Sequence, residues 1–293
     1  MTDSPLFDAP GPRARRRMLW ANIIGTVVVV GIGFLVLRAF AAKGQLDGAL
    51  WNPFIGSRSW ENFLLPGLRD TLKAAGIAIV TSSLFGALFG IGRLSSSAAV
   101  RAVSGAIVEF FRAVPVLLMM IFFYLGIAQL HVVEPADLPL VAVVLGLTFY
   151  NGSVFAELIR SGVHSLPRGQ REAALAVGLR PTQSLRLIEV PQALIAMLPA
   201  IASQLVVILK DTALGAIITY PELLDAARRL GSSQGNILQS LVIAAVVFII
   251  INYALTRLAG RLAKRVGGRT AGKPRVEVPG LAVGPGAVPP GVK

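Results

Sequence analysis

The chain has 293 residues, 54% of them hydrophobic, yet its formal charge is +13. Charged residues make up 15%, well under the roughly 25% of soluble proteins, and mean hydropathy is +0.70; this argues against a water-soluble enzyme and against a disordered chain, which needs low hydrophobicity. Cysteine is absent and only His131 and His164 are present, which excludes disulfides, thiolate chemistry and a histidine-rich metal centre.

A membrane-spanning helix needs about 20 apolar residues to cross a hydrocarbon core of about 30 Å. Six stretches qualify or nearly do: 19–37, 74–92, 113–130 (starting a turn or two earlier, near Ile107), 138–156, about 193–209 and about 237–255. They are assigned as helices because an open sheet cannot satisfy its backbone in lipid. The first stretch is longer than a signal-peptide core and reads as an uncleaved anchor despite Ala39-Phe40-Ala41.

Six spans put both termini on one side. With the N-terminus inside, the cytoplasmic regions hold 20 Lys/Arg and 7 Asp/Glu, and the outer regions hold 7 of each, while Lys210 cancels Asp211. The positive-inside rule selects this orientation. The whole excess of +13 is then an orientation signal and not a footprint for nucleic acid.

Residues 1–18 form a basic arm. The C-terminal tail is rich in Gly, Pro and Val and reads as disordered. Its Gly267 to Gly272-Lys273 mimics the start of a phosphate-binding loop, but Pro274 stands where Ser or Thr should hold magnesium. No ATP site is visible in the chain.

The polar loop 157–192 is the informative connection. Pro167 and Gly169 punctuate it, residues 170–177 are mostly good helix formers, and Gly178 fits a helix stop. These features predict a short helix outside the bilayer. Leu175 and Leu179 form an apolar stripe on it, and Ala173, Ala174 and Ala176 offer a surface that another protein could approach closely.

Within that loop, Glu172-Ala173-Ala174, then Gly178, Ile188 and Val190-Pro191 at matching spacing, resembles the Glu-Ala-Ala signature of ATP-binding-cassette (ABC) importer permeases. The one departure is Val190 in place of Leu. Gly67 to Thr71-Leu72, Glu109 to Leu117, Phe155 to Gly162, Pro191 to Leu194 and Leu209 to Thr212 resemble further segments of the polar amino acid uptake subfamily. The match covers about residues 67–260. The extra first span and the Arg usage look most like the glutamate permeases of actinobacteria.

The resemblance implies an all-α integral membrane protein, with a five-helix type I importer core at 67–260. An additional span and its outer loop (19–66) precede the core, the basic arm lies at 1–18 and a disordered basic tail at 261–293. It also implies a membrane subunit without its own ATP site that works with ATPase subunits, a second permease, identical or related, and an extracytoplasmic binding protein. ATP and magnesium would be bound by the ATPase, and glutamate is the favoured cargo. Carried over by position, Gly169, Glu172, Ala173, Ala174, Gly178 and Pro191 are the residues that couple to the ATPase. Small residues permit close approach, Glu172 can meet a cation, and Gly178 can turn the chain sharply.

Ionisable residues and prolines within or beside the spans are candidates for a pathway or gate. Lys210, Asp211 and Thr212 meet the fifth span inside the apolar zone; they line the pathway, lock spans together or lie near the outer interface. Glu109 with Arg112, and Glu157 with Arg160, are spaced for local i, i+3 bridges, and Pro115 for a kink in the third span. Both pairs read either as interfacial bridges or as a gate. Trp51 and Trp60 of the outer loop read as interfacial anchors. An ion-coupled secondary transporter using Lys210-Asp211 is the alternative reading. It predicts repeats or broken helices in both halves, and it leaves the loop signature without a role.

Overall fold

The computed structural model describes residues 11–270, and every regular element among them is helical. The order is α1 (Pro12–Ala42), α2 (Ser57–Ser59), α3 (Leu65–Arg93), α4 (Ala98–Ala113), α5 (Val116–Leu130), α6 (Leu138–His164), α7 (Arg168–Ala176), α8 (Pro181–Ser184), α9 (Val190–Asp211), α10 (Leu223–Gln234) and α11 (Ile237–Thr270). Five of the described helical segments are long and apolar enough to cross a membrane, and the bent pair α4–α5 makes a sixth if counted as one span.

Proline accompanies three irregular points in these helices, because it lacks the N–H that an α-helix needs at every interior position, whereas Pro199 is carried inside α9 without a break. Two π-helical turns, Trp60–Leu64 and Leu185–Glu189, each stand just ahead of an apolar-Pro pair, Leu65-Pro66 and Val190-Pro191. The wider turn absorbs the missing donor without ending the helix. At Val114-Pro115 the chain breaks instead. Val114 is extended, as a residue before proline prefers, and α4 and α5 meet at 97°. The spacing predicts a kink there, and the structure has a full break with Pro115 as the N-cap of α5. Similarly, α11 runs on through Thr270, ten residues into the segment read as tail. The stretch Arg261 to Val266 contains no breaker, so the helix propagates beyond the apolar span. Residues 271–293, with most of that tail and the mimic's Lys273 and Pro274, lie outside the described residues, as do residues 1–10 of the basic arm.

The described residues form two units, 11–70 with 221–247, and 71–220 with 248–270. In the first, α1 buries none of its residues. The segment after it is ordered against α10 and the start of α11. Asn236 Nδ2 donates to Leu50 O at 3.0 Å, Gln239 Nε2 donates to Gln45 O at 2.6 Å, and Trp60 Nε1 donates to Phe54 O at 2.9 Å. Gly67 lies so close to α10 that a Cβ would stand 2.6 Å from Ala226 Cβ. Glu222 caps α10 by accepting the N–H groups of Leu224 (2.8 Å) and Asp225 (2.7 Å).

The second unit has a core of small and flexible side chains, with Ala74, Ala78, Met120, Ala142, Val143 and Leu147 fully buried. Helices in lipid gain nothing from hiding apolar surface, so close backbone approach and polar contacts must hold them. Gly86 and Gly90, a G-x-x-x-G pair on α3, seat against α6: a Cβ on Gly86 would collide with Phe155 Cβ and stand 2.9 Å from Gly152 O. Gly162 gives α6 the same approach to Met197 of α9, where an added Cβ would stand 2.7 Å from Cγ. Asn151, fully buried, accepts from Gln204 Nε2 at 2.6 Å and ties α6 to α9. Phe149 stacks on Phe111 (4.6 Å) and Phe123 (5.4 Å) and takes Phe85 edge-on, packing around the α4–α5 break.

Gly86→Ala is expected to cost about 1–3 kcal/mol by overpacking. Gly105→Ala, where an added Cβ meets nothing within 4 Å, should be neutral or gain up to about 1 kcal/mol. Thermal unfolding of the detergent-solubilised protein measures both. Burial pushes the Glu222 carboxyl from 4.5 up to about 7, although the two capping N–H groups favour its charged form. An acid whose folded pKa is raised contributes most below its ordinary value and loses that contribution as pH rises through the folded one. The Tm of the wild type should therefore fall between pH 4.5 and 7, and the Glu222→Gln variant should lack that component in the same titration.

Candidate coupling loop and ionic node

Helix α6 ends at His164, and Pro167, extended at ψ 131°, redirects the chain as the N-cap of α7. The helix runs Arg168–Ala176, close to the predicted 170–177, and stops where the sequence places its stop. Gly178 has φ +86°, a left-handed conformation that glycine adopts without strain. The N–H of Gly178 reaches Leu175 O (3.0 Å) and that of Leu179 reaches Ala174 O (3.1 Å), so the last carbonyls of the helix are satisfied. Arg180 and Pro181 then start α8, which passes through the second π turn into α9. Gln192 Nε2 donates to Gln170 Oε1 at 3.2 Å and holds α7 against α9.

The faces of α7 differ from the expected stripe. Ala174 is its inward anchor, buried at 2%, while Leu175 and Val177 are exposed at 41% and 77%. Glu172, Ala173 and Ala176 share the exposed surface with them. The helix is thus pinned by a methyl group and presents a carboxylate, small side chains and two apolar ones outward. Inside the second π turn, Glu189 is buried and accepts from Ser184 Oγ at 2.7 Å.

A second constellation sits at the same end of α6. The expected local pairs both form: Arg112 Nη1 to Glu109 Oε1 at 3.4 Å, and Arg160 Nη2 to Glu157 Oε1 at 2.6 Å. The structure fuses them through Arg93, the last residue of α3. Its Nη1 lies 2.8 Å from Glu157 Oε2 and its Nη2 3.0 Å from Glu109 Oε1. Arg112 also approaches Glu157 at 3.7 Å. Five charged residues thus link α3, α4 and α6. In the sequence Arg93 stands just past the span 74–92, and that position at a span end is the one local signal it carries. Pro115, at the α4–α5 break, follows Arg112 by three residues.

Lys210, Asp211 and Thr212 do not join this node. Helix α9 has 22 residues and rises about 33 Å, so they lie at the end opposite Pro191, where α9 becomes a 3-10 helix (Thr212–Ile218). Lys210 is exposed and Asp211 half-buried. Thr212 is buried and donates to Leu209 O at 2.7 Å, which fastens the turn.

A family model described as "Binding-protein-dependent transport system inner membrane component" matches residues 82–268. The glutamate transport system permease protein GluD of Corynebacterium glutamicum is 44% identical over 226 residues, covering 77% of this chain and 83% of that one. The glutamate/aspartate import permease protein GltK of Escherichia coli is 32% identical over 208 residues, covering 69% and 93%. Among solved structures, an amino acid ABC transporter crystallised with histidines matches with TM-score 0.66 and 25% identity, covering 72% of this chain and 98% of that chain. The methionine transporter MetNI, at 20% identity and TM-score 0.60, shares the fold. The chain is a multi-pass membrane permease subunit of an ABC importer. It belongs to the family of binding-protein-dependent transport system inner membrane components.

Arg93→Gln is expected to leave Glu109 and Glu157 without their bridge across α3 and to cost about 1.5–3 kcal/mol. Arg112→Gln, whose contacts are 3.4 and 3.7 Å, should cost under about 1 kcal/mol. Chemical or thermal unfolding of the purified protein separates the two.

Proposed function

We propose that this chain forms half of the translocation pathway of an importer for a polar amino acid, glutamate being favoured. The 44% identity to a glutamate permease supports the cargo. The pathway is completed by a second permease, identical or related. ATP and magnesium are bound by separate ATPase subunits, and an extracytoplasmic binding protein delivers the amino acid. The chain resides in the bacterial cell membrane with both termini in the cytoplasm, a reading that rests on the Lys/Arg excess of the loops on that side.

The observation that carries the mechanism is the outward face of α7. Pro167 and the left-handed Gly178 bracket a short, rigid helix, and the buried Ala174 pins it to the chain. Its exposed Glu172, Ala173, Leu175 and Val177 form a compact knob for a groove on the ATPase. Gly169 and Pro191 flank this unit: Gly169 lies in the first turn of α7, and Pro191 opens α9, to which Gln170 is bonded. ATP can drive transport only through contacts that differ between two states of the permease. A helix held by both the α6 and α9 sides passes rigid-body displacement of the ATPase to those spans. In this reading Glu109, Arg112, Glu157 and Arg160, with Arg93, form the cytoplasmic gate beside the Pro115 break. Lys210, Asp211 and Thr212 fix the outer end of α9.

Glu172→Arg should reduce co-purification of the ATPase about tenfold or more by placing a cation against a cationic partner. The Tm of the permease should remain unchanged, because Glu172 is exposed. Uptake of labelled glutamate by intact cells should stop when the ATPase is deleted. Uptake that persists without the ATPase and follows only a proton or sodium gradient would instead establish the ion-coupled alternative.

A further inference from the structure

One cavity belongs neither to the outward face of α7 nor to the interior of the spans. It has a volume of about 520 Å³ and opens at the end of α3 and α6, behind α7 and beside the second π turn. Its polar wall includes Arg93, Arg101, Arg171, Ser95, Ser96 and Thr182. Arg93 is ion-paired with Glu109 and Glu157. Arg101 is different: its Nη1 donates to the carbonyls of Ser95 (2.9 Å) and Ser96 (3.4 Å), which orient the guanidinium but do not neutralise it. Arg171 is exposed at the start of α7. Among the described residues, neither Arg101 nor Arg171 forms an ion pair. Glu189, the acid on the wall, is buried and bonded to Ser184. The cavity therefore has two uncompensated guanidinium groups, that of Arg101 held in place by the two carbonyls, and a set of hydroxyls, which is the chemistry of a phosphate site.

The rest of the wall narrows the ligand. Leu94, Val163, Leu166 and Leu185 also line the cavity. On the elements that frame it, Val100, Val103 and Leu187 are exposed at 47%, 60% and 67%. A free inorganic anion has no use for such a rim, whereas the glycerol and first methylenes of a phospholipid do. The cavity also lies at the terminus of two candidate spanning helices, α3 and α6, where a spanning helix passes from hydrocarbon to headgroups. Basic pockets between helices at that depth bind anionic headgroups.

We infer that this cavity holds the phosphodiester headgroup of an anionic phospholipid, gripped by Arg101 and Arg171, with its acyl chains leaving along the exposed valines and leucine. Because Arg171 is on α7, the bound lipid joins the coupling helix to the α3–α4 turn. The site stands independently of ATPase docking, since the lipid is read on the permease itself.

The test is quantification by mass spectrometry of the lipid that co-purifies with the full-length permease, with the ATPase that accompanies it measured in the same preparation, for the wild type, Arg101→Gln/Arg171→Gln and Arg101→Lys/Arg171→Lys. Retained anionic phospholipid should fall about tenfold or more in the double Gln variant and largely persist in the double Lys variant. Zwitterionic phospholipid should be unchanged in all three. Delipidated permease should rise in Tm in nanodiscs containing phosphatidylglycerol, and not with inorganic phosphate in solution. Equal anionic lipid in wild type and the double Gln variant would overturn the assignment. A Tm rise with inorganic phosphate matching that with lipid would overturn it in favour of a free anion. Unchanged lipid with loss of the ATPase from the double Gln variant would overturn it in favour of a protein-docking surface. Glu172→Arg, which lies outside the cavity, separates failure of docking from failure of lipid binding.

Discussion

Hydrocarbon offers no partner to a backbone N–H or C=O, so the chain must satisfy its own. The departures from regular helix at Pro66, Pro115 and Pro191 answer that demand. Pro66 and Pro191 remove one donor each, and a π turn ahead of each keeps the helix continuous. Pro115 removes another, and there the helix gives way to a 97° break packed by Phe111, Phe123 and Phe149. Outside the spans, Gly178 ends α7 by curling the chain so that orphan carbonyls find N–H groups. The irregular points are also where the functional geometry lies: the approach to α9, the bend beside the node and the stop of α7.

The same solvent also sets how the helices associate. With little hydrophobic gain to be had between them, the second unit relies on contact distance and polarity. Gly86, Gly90 and Gly162 let α3 and α9 come against α6, and the Asn151–Gln204 bond fixes one of these pairings. At one end of the resulting packing, the Arg93 node joins α3, α4 and α6. Close packing in the middle and charge at the end produce a bundle in which α6 is the shared element. Helix α7 follows α6 directly, so whatever moves α7 acts on the most heavily packed helix of the unit.

The coupling loop and the basic cavity show two sides of one short helix. Its outward side carries exposed Glu172, Ala173, Leu175 and Val177, while Arg171 and Gln170 help to line the cavity behind it. A nine-residue helix cannot hold its position by its own stability. Ala174, the Gln170–Gln192 bond and the Pro167 and Gly178 brackets hold it in place.

Much of this was legible before any fold was known. The span positions, the all-α class, the short loop helix and its Gly178 stop follow from local properties: apolar length, proline and glycine placement, and side-chain propensity. The Glu109–Arg112 and Glu157–Arg160 pairs were readable because i, i+3 neighbours meet on any helix. What the sequence by itself could not determine was the contact between distant segments. Arg93 lies 64 residues from Glu157, and nothing local marks it as the bridge of the node. That α7 would turn Ala174 inward and not the Leu175 stripe depended on the surface it meets. That Pro115 would break the helix and not merely bend it is seen only in the structure, where Val114 is extended and α4 and α5 meet at 97°. Local chemistry fixes helices and their ends, because those interactions close within a few residues. Only the tertiary structure could bring the node and the basic cavity together, because each takes its side chains from helices far apart in the chain.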